Sequence, residues 1–101
     1  MIKLMFAIFD SKAKYFNKPF MFQSKGEAVR GFSDLANDTQ TEIGRHPEDF
    51  TLFYLGEYMQ DKGSFKNAIS PESLGVAIEY IKTEPEKLRI TDIKEVEGGN
   101  K

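Results

Sequence analysis

Apolar and weaker positions alternate along residues 2–9, with Ile2, Leu4, Phe6 and Ile8 on one face of an extended chain and Lys3, Met5, Ala7 and Phe9 on the other. A period of two predicts a strand with a buried face. The lysine-rich residues 10–17 read as a loop or hairpin connection, and the short apolar run 20–23 behind Pro19 reads as the partner strand. The period then changes. Ser24-Lys25-Gly26-Glu27 has the form of a capping box, with the Ser24 hydroxyl accepting from the Glu27 amide and the Glu27 carboxylate accepting from the Ser24 amide. From there Ala28, Phe32, Leu35 and Ala36 recur at helical spacing and form one apolar stripe, while Lys25, Arg30, Ser33 and Asp34 face elsewhere. Asn37-Asp38 stop this helix, and the polar stretch to Pro47 is a loop with room for one helical turn.

Residues 50–59 form the second long strand, with Phe50, Leu52 and Tyr54 on one face and Thr51, Phe53 and Leu55 on the other. Both faces are apolar, which suits a central strand, and Gly56 marks a bulge or a close backbone approach. Asp61-Lys62-Gly63 is a hairpin-type turn into a short edge strand at 64–67. Ser70-Pro71-Glu72 resembles an N-cap followed by proline at the first helical position, with Leu74, Ala77, Ile78 and Ile81 at helical spacing. Leu74, Val76, Ile78 and Tyr80 fit strand spacing equally well; a short second helix is the preferred reading. The sum is an α+β domain over residues 1–83, a mainly antiparallel sheet of three to four strands packed by one principal helix. Residues 84–101 read as a charged C-terminal tail ending in Gly98-Gly99-Asn100-Lys101.

Composition narrows the class. A chain of 101 residues with 40% hydrophobic and 13% aromatic side chains, nine of them Phe, has enough apolar surface for one core. The absence of Cys excludes disulfide frameworks, thiolate metal sites and cysteine nucleophiles. No apolar run approaches the roughly 20 residues of a membrane span, and the N-terminal run meets Asp10 and Lys12 without a small-residue cleavage site. An intracellular bacterial or viral protein, away from membranes, is the expectation. The net charge of −2 conceals an asymmetry: residues 1–30 carry six basic and two acidic side chains, +4, and the remainder carries −6.

Familiar catalytic chemistry finds no foothold. His46, the single histidine, precedes Pro47-Glu48-Asp49, where a structural turn is the favoured reading, with Glu48 or Asp49 bonding nearby amides. Glu48 and Asp49 would diverge if adjacent on a strand, so neither an acid/base pair nor a metal site is expected. No glycine pattern forms a phosphate loop. Catalytic residues, metals and cofactors are therefore all expected to be absent.

What remains is basic and aromatic. Lys12, Lys14, Tyr15 and Lys18, followed by Lys25 and Arg30, combine lysines suited to phosphates with an exposed ring suited to a base. Phe16, Phe20 and Phe22 are read as core. By this reasoning the expected partner is single-stranded nucleic acid. The rival class is a protein-interaction adaptor or homodimer, because one helix covers only one face of the doubly apolar strand unless the C-terminal segment covers the other.

Several short segments carry a resemblance. Ala7-Ile8-Phe9-Asp10-Ser11-Lys12-Ala13, Gly26-Glu27-Ala28-Val29-Arg30-Gly31-Phe32, His46-Pro47-Glu48-Asp49-Phe50, Leu52-Phe53-Tyr54-Leu55-Gly56-Glu57 and Ser73-Leu74-Gly75 resemble, in the same order, segments of a family. That family is the small nonstructural DNA-binding protein of gokushoviruses, single-stranded DNA phages of the Microviridae. The resemblance implies a non-enzymatic protein of the infected bacterial cytoplasm. It also implies a role in the switch from double-stranded replication to synthesis and packaging of single-stranded genomes; in the rival adaptor reading, the apolar face or a strand edge docks a phage or host replication protein. The site residues above are inferred from the chain itself and not from the resemblance.

Overall fold

The computed structural model describes residues 1–82. The tail 84–101 lies outside them. Strand β1 (Ile2–Asp10) is central, paired antiparallel on one side with β4 (Phe50–Met59) and on the other with two short pieces, β2 (Tyr15–Phe16) and β3 (Phe20–Phe22). These pieces share one edge of β1, interrupted at Asn17-Lys18-Pro19, and β5 (Ser64–Val76) completes the sheet beside β4. Every pairing is antiparallel, and β4 sits between β1 and β5 as its doubly apolar pattern predicts. No described helix is long and apolar enough to cross a membrane.

Helix α1 (Lys25–Ala36) lies on one face of this sheet. The Ser24 hydroxyl accepts from the Glu27 amide at 3.1 Å, as the capping box requires, but the Glu27 carboxylate accepts from the Gln23 amide instead of that of Ser24. Ala28, Phe32 and Ala36 are buried against Phe6, Ile8, Phe50 and Leu52, and Phe20, Phe22 and Tyr54 pack around them. Leu35, expected on the same stripe, is 37% exposed beside a groove. Asn37 closes the helix and also clamps residues 80–82: its amide donates to the Tyr80 carbonyl at 2.9 Å, and its carbonyl accepts from the Lys82 amide at 2.8 Å.

The single helical turn expected before Pro47 is α2 (Glu42–Arg45), capped by Thr41. It presses so closely on the end of α1 that a Cβ at Gly44 would stand 2.0 Å from the Asp38 carbonyl oxygen. A 3-10 turn, Pro47–Asp49, then leads into β4.

The segment after Gly63 departs most from expectation. Residues 70–76, which carry the helix-like Ser-Pro-Glu start, belong to β5, and only Ala77–Tyr80 forms a helical turn, of 3-10 type. Pairing with β4 outweighs the local signal, because an isolated short helix is marginal whereas each added ladder position satisfies backbone groups. Opposite Leu55 of β4, residues 68–71 of β5 bulge out between the paired positions Asn67 and Glu72. Gly56 flanks this irregularity at φ 142, with the Lys66 carbonyl oxygen 2.4 Å from where a Cβ would stand, so both alternatives anticipated for it occur together.

Candidate functional site

Antiparallel register assigns the side chains of the uncovered face. Partners across a ladder share a face, so Lys3, Tyr58 and Phe65 form one row. Met21, Met5, Gly56 and Asn67 form the next, then Ala7, Phe53 and Ser73, and finally Phe16, Phe9 and Thr51. Two aromatic groups result. Phe16 contacts Phe9 and Phe53 with ring centroids 5.0 and 5.3 Å apart at the end nearest the β1–β2 turn. Tyr58 and Phe65 lie 5.0 Å apart toward the tip of the β4–β5 hairpin. Phe65 is 59% exposed, and Phe16 and Met21 are about four-tenths exposed. No described helix covers this face, and Lys3 is the one charged side chain in these rows. Phe16 is therefore a surface ring and not the core residue expected of it, whereas Phe20 and Phe22 do pack on the core.

The sequence-named residues divide into three places. Lys12, Lys14 and Tyr15 are gathered in one exposed hairpin, where Asp10 accepts from the amides of Lys12 and Ala13 at 3.0 and 3.2 Å and Lys14 takes φ 65. This turn joins Phe9 to Phe16 at one end of the sheet, but Tyr15 pairs with Asp10 and through it with the core residue Phe50, so its ring is on the α1 side, and Lys12 lines a cavity with Glu42, His46 and Asp49 on that same side. Lys18 stands at the rim of an open apolar groove of about 350 Å³ between β3 and α1, beside Ile8, Phe22 and Leu35. Lys25 and Arg30 belong to the helix layer. The Lys25 ammonium bonds to the Glu72 carboxylate at 3.1 Å and lies 4.5 Å from the centre of the Tyr54 ring, so its charge is already matched. Leu35 marks the Lys18 end of α1, ten residues and so roughly 15 Å along the axis from Lys25. The six residues do not form one patch; the hairpin trio does.

Tyr58 and Phe65 were missed as surface candidates because their face is set by register. The signal was nonetheless in the chain: the loop 60–63 places Met59 opposite Ser64, which puts Tyr58 opposite Phe65. Glu48 and Asp49 also correct their expectation. They lie in a turn, as read from Pro47, here of 3-10 type, so the divergence that a strand would impose does not arise, and together with His46 they bring one ligand atom each to within 4.8 Å of one another. Backbone bonds hold that turn, Asp49 N–H to the His46 carbonyl and Ser11 N–H to the Asp49 carbonyl, in place of the carboxylate–amide bonds anticipated.

Comparison with known proteins agrees with the resemblance at the level of family. Protein ORF5 of Chlamydia phage 1, a gokushovirus, is 36% identical over 64 residues, spanning 59% of this chain and 67% of that protein. No solved structure matches. The family described as Phage ORF5 protein matches residues 3–80, nearly all of the described residues, and the chain belongs to that bacteriophage family.

Proposed function

We propose that this phage protein is a non-enzymatic module that binds single-stranded DNA across the uncovered sheet face, in the cytoplasm of the infected bacterium during genome replication or packaging. The observation that carries the reading is the exposure of the Phe16 and Phe65 rings on the sheet face opposite α1, with the lysine-bearing turn 11–14 at the end nearest Phe16. Phe16 and Phe65 offer exposed ring faces to bases, the half-buried Tyr58 supports Phe65, Lys3 flanks that distal pair, and the turn that carries Lys12 and Lys14 lies at the other end. Base–aromatic stacking is worth about 1–3 kcal/mol per base and is indifferent to sequence, while the lysines follow the phosphates. Lys18, at the groove between β3 and α1, and Lys25 and Arg30, on the helix layer, contribute at most long-range attraction.

Fluorescence anisotropy with a labelled oligonucleotide tests this. Three phosphate-contacting lysines give a salt slope of roughly −2 on logarithmic axes, so affinity should fall roughly 20-fold between 50 and 200 mM salt. Joint replacement of Lys12, Lys14 and Lys18 by Glu should abolish binding, and Phe65→Ala should weaken it about tenfold or more. Absence of binding at low salt, or indifference to both changes, rules the reading out.

The apolar character of the same face favours one second reading, an adaptor that docks a replication protein or a second copy of itself there. Light scattering separates the self-association case: a strict monomer across concentrations removes the homodimer.

A further inference from the structure

We propose that His46, Glu48 and Asp49 bind a divalent first-row transition cation, zinc or manganese, at the base of the basic hairpin. Three observations build the site. The 3-10 turn Pro47–Asp49 folds back on its N-cap residue His46, whose carbonyl accepts from the Asp49 amide, and with Glu48 the three side chains bring one ligand atom each to within 4.8 Å of one another. Ligands about 2.1 Å from a tetrahedral ion stand roughly 3.4 Å apart, so a small rotation of solvent-facing side chains closes the set. The backbone beneath is already fixed, by Pro47, by the Asp49 N–H to His46 carbonyl bond and by the Ser11 N–H to Asp49 carbonyl bond that ties the turn to β1.

The second observation is the cavity beside the turn, about 250 Å³, lined by Asp10, Lys12, Glu42, His46, Asp49 and Phe50. Around the imidazole this assembles four carboxylates, those of Asp10, Glu42, Glu48 and Asp49, against the single ammonium of Lys12. Arg45, the nearest further cation in sequence, directs its guanidinium to the carbonyls of Thr39 and Gln40. The third observation concerns partners: among the described residues, the side chains of His46, Glu48 and Asp49 bond to no protein group, so their donor atoms are available to an ion. One imidazole with two carboxylates is a mixed N/O donor set. It suits zinc or manganese, whereas magnesium prefers oxygen alone and keeps its waters. Asp10 and Glu42 are placed to accept hydrogen bonds from waters that fill the remaining coordination positions.

Titration calorimetry of the full chain with zinc chloride, with magnesium chloride as comparison, tests the site. The expected result is one saturable event at one ion per chain, absent with magnesium, and weakened at least about tenfold by His46→Ala and by Asp49→Asn. Far-UV circular dichroism of both variants should be unchanged, because these side chains lie at the surface. His46 is the chain's single histidine, so its imidazole proton resonances need no assignment; they should shift on zinc addition. In amide spectra, manganese broadening should centre on residues 46–49 and 10–12. No saturable zinc binding, binding unaltered in both variants, or broadening centred elsewhere overturns the proposal. None of these readouts depends on DNA binding, so this site and the proposed function fail separately.

Discussion

The two faces of the sheet are built from similar residues and put to opposite use. Under α1, Phe6 and Leu52 are fully buried and Phe32 is 2% exposed, with Phe6 ringed by Phe20, Phe22 and Tyr54 at centroid distances of 5.7–6.3 Å. On the reverse, Phe16 and Phe65 make comparable contacts, with Phe53 and with the half-buried Tyr58, at 5.0–5.3 Å but remain open to solvent. Ring-to-ring geometry alone therefore does not distinguish core from surface. The difference is the third layer, which removes the rings from water on one side only, and water removal is where most of the stabilisation arises.

Substitutions on the two faces should separate the uses. The largest effect is expected for Phe32→Ala, which leaves a cavity under the helix and should cost about 3–5 kcal/mol of unfolding free energy in urea titrations. Next comes Gly56→Ala at the bulge. A Cβ there meets the Lys66 carbonyl in a backbone conformation that L residues rarely adopt, so the loss should exceed about 1 kcal/mol. Phe65→Ala on the open face should move stability by less than about 1 kcal/mol, since its ring is already largely wet; a loss as large as that of Phe32→Ala would mean that the reverse face is a second core. Smallest of all, Glu72→Gln breaks the half-exposed pair with Lys25 and should cost less than about 0.5 kcal/mol by the same titrations.

How far the chain discloses this arrangement depends on whether a signal is local. The strand at 2–9, the Ser24 cap and the buried positions Ala28, Phe32 and Ala36 follow from periodicity and capping, which act within a few residues. Residues 70–76 mislead because Ser70-Pro71-Glu72 is a sound helix start that loses to ladder pairing with a strand some twenty residues earlier. Leu35 and Phe16 fail for a related reason: apolar character says that a residue can be buried, while the layer above it decides whether it is. Of the candidate site, the hairpin lysines were legible because a lysine-rich turn is exposed wherever it falls. Tyr58 and Phe65 needed the register, and the grouping of His46 with Asp49 needed the 3-10 geometry of a turn with Pro47 at its start.

The breaks in the outer strands bear on how copies of the chain meet at high concentration. One rim of the sheet is split into β2 and β3 by Asn17-Lys18-Pro19, and the other is thrown out of line at residues 68–71, where Ile69 is fully exposed beside Pro71. Each uninterrupted stretch of rim is shorter than the roughly six-residue segments from which cross-β stacks grow, and proline has no N–H to offer a newcomer. Edge-to-edge addition, the route by which open sheets polymerise, is thus blocked at both rims. Among the described residues, a sheet with one aromatic face that no helix covers is in this way guarded against fibre growth at its edges.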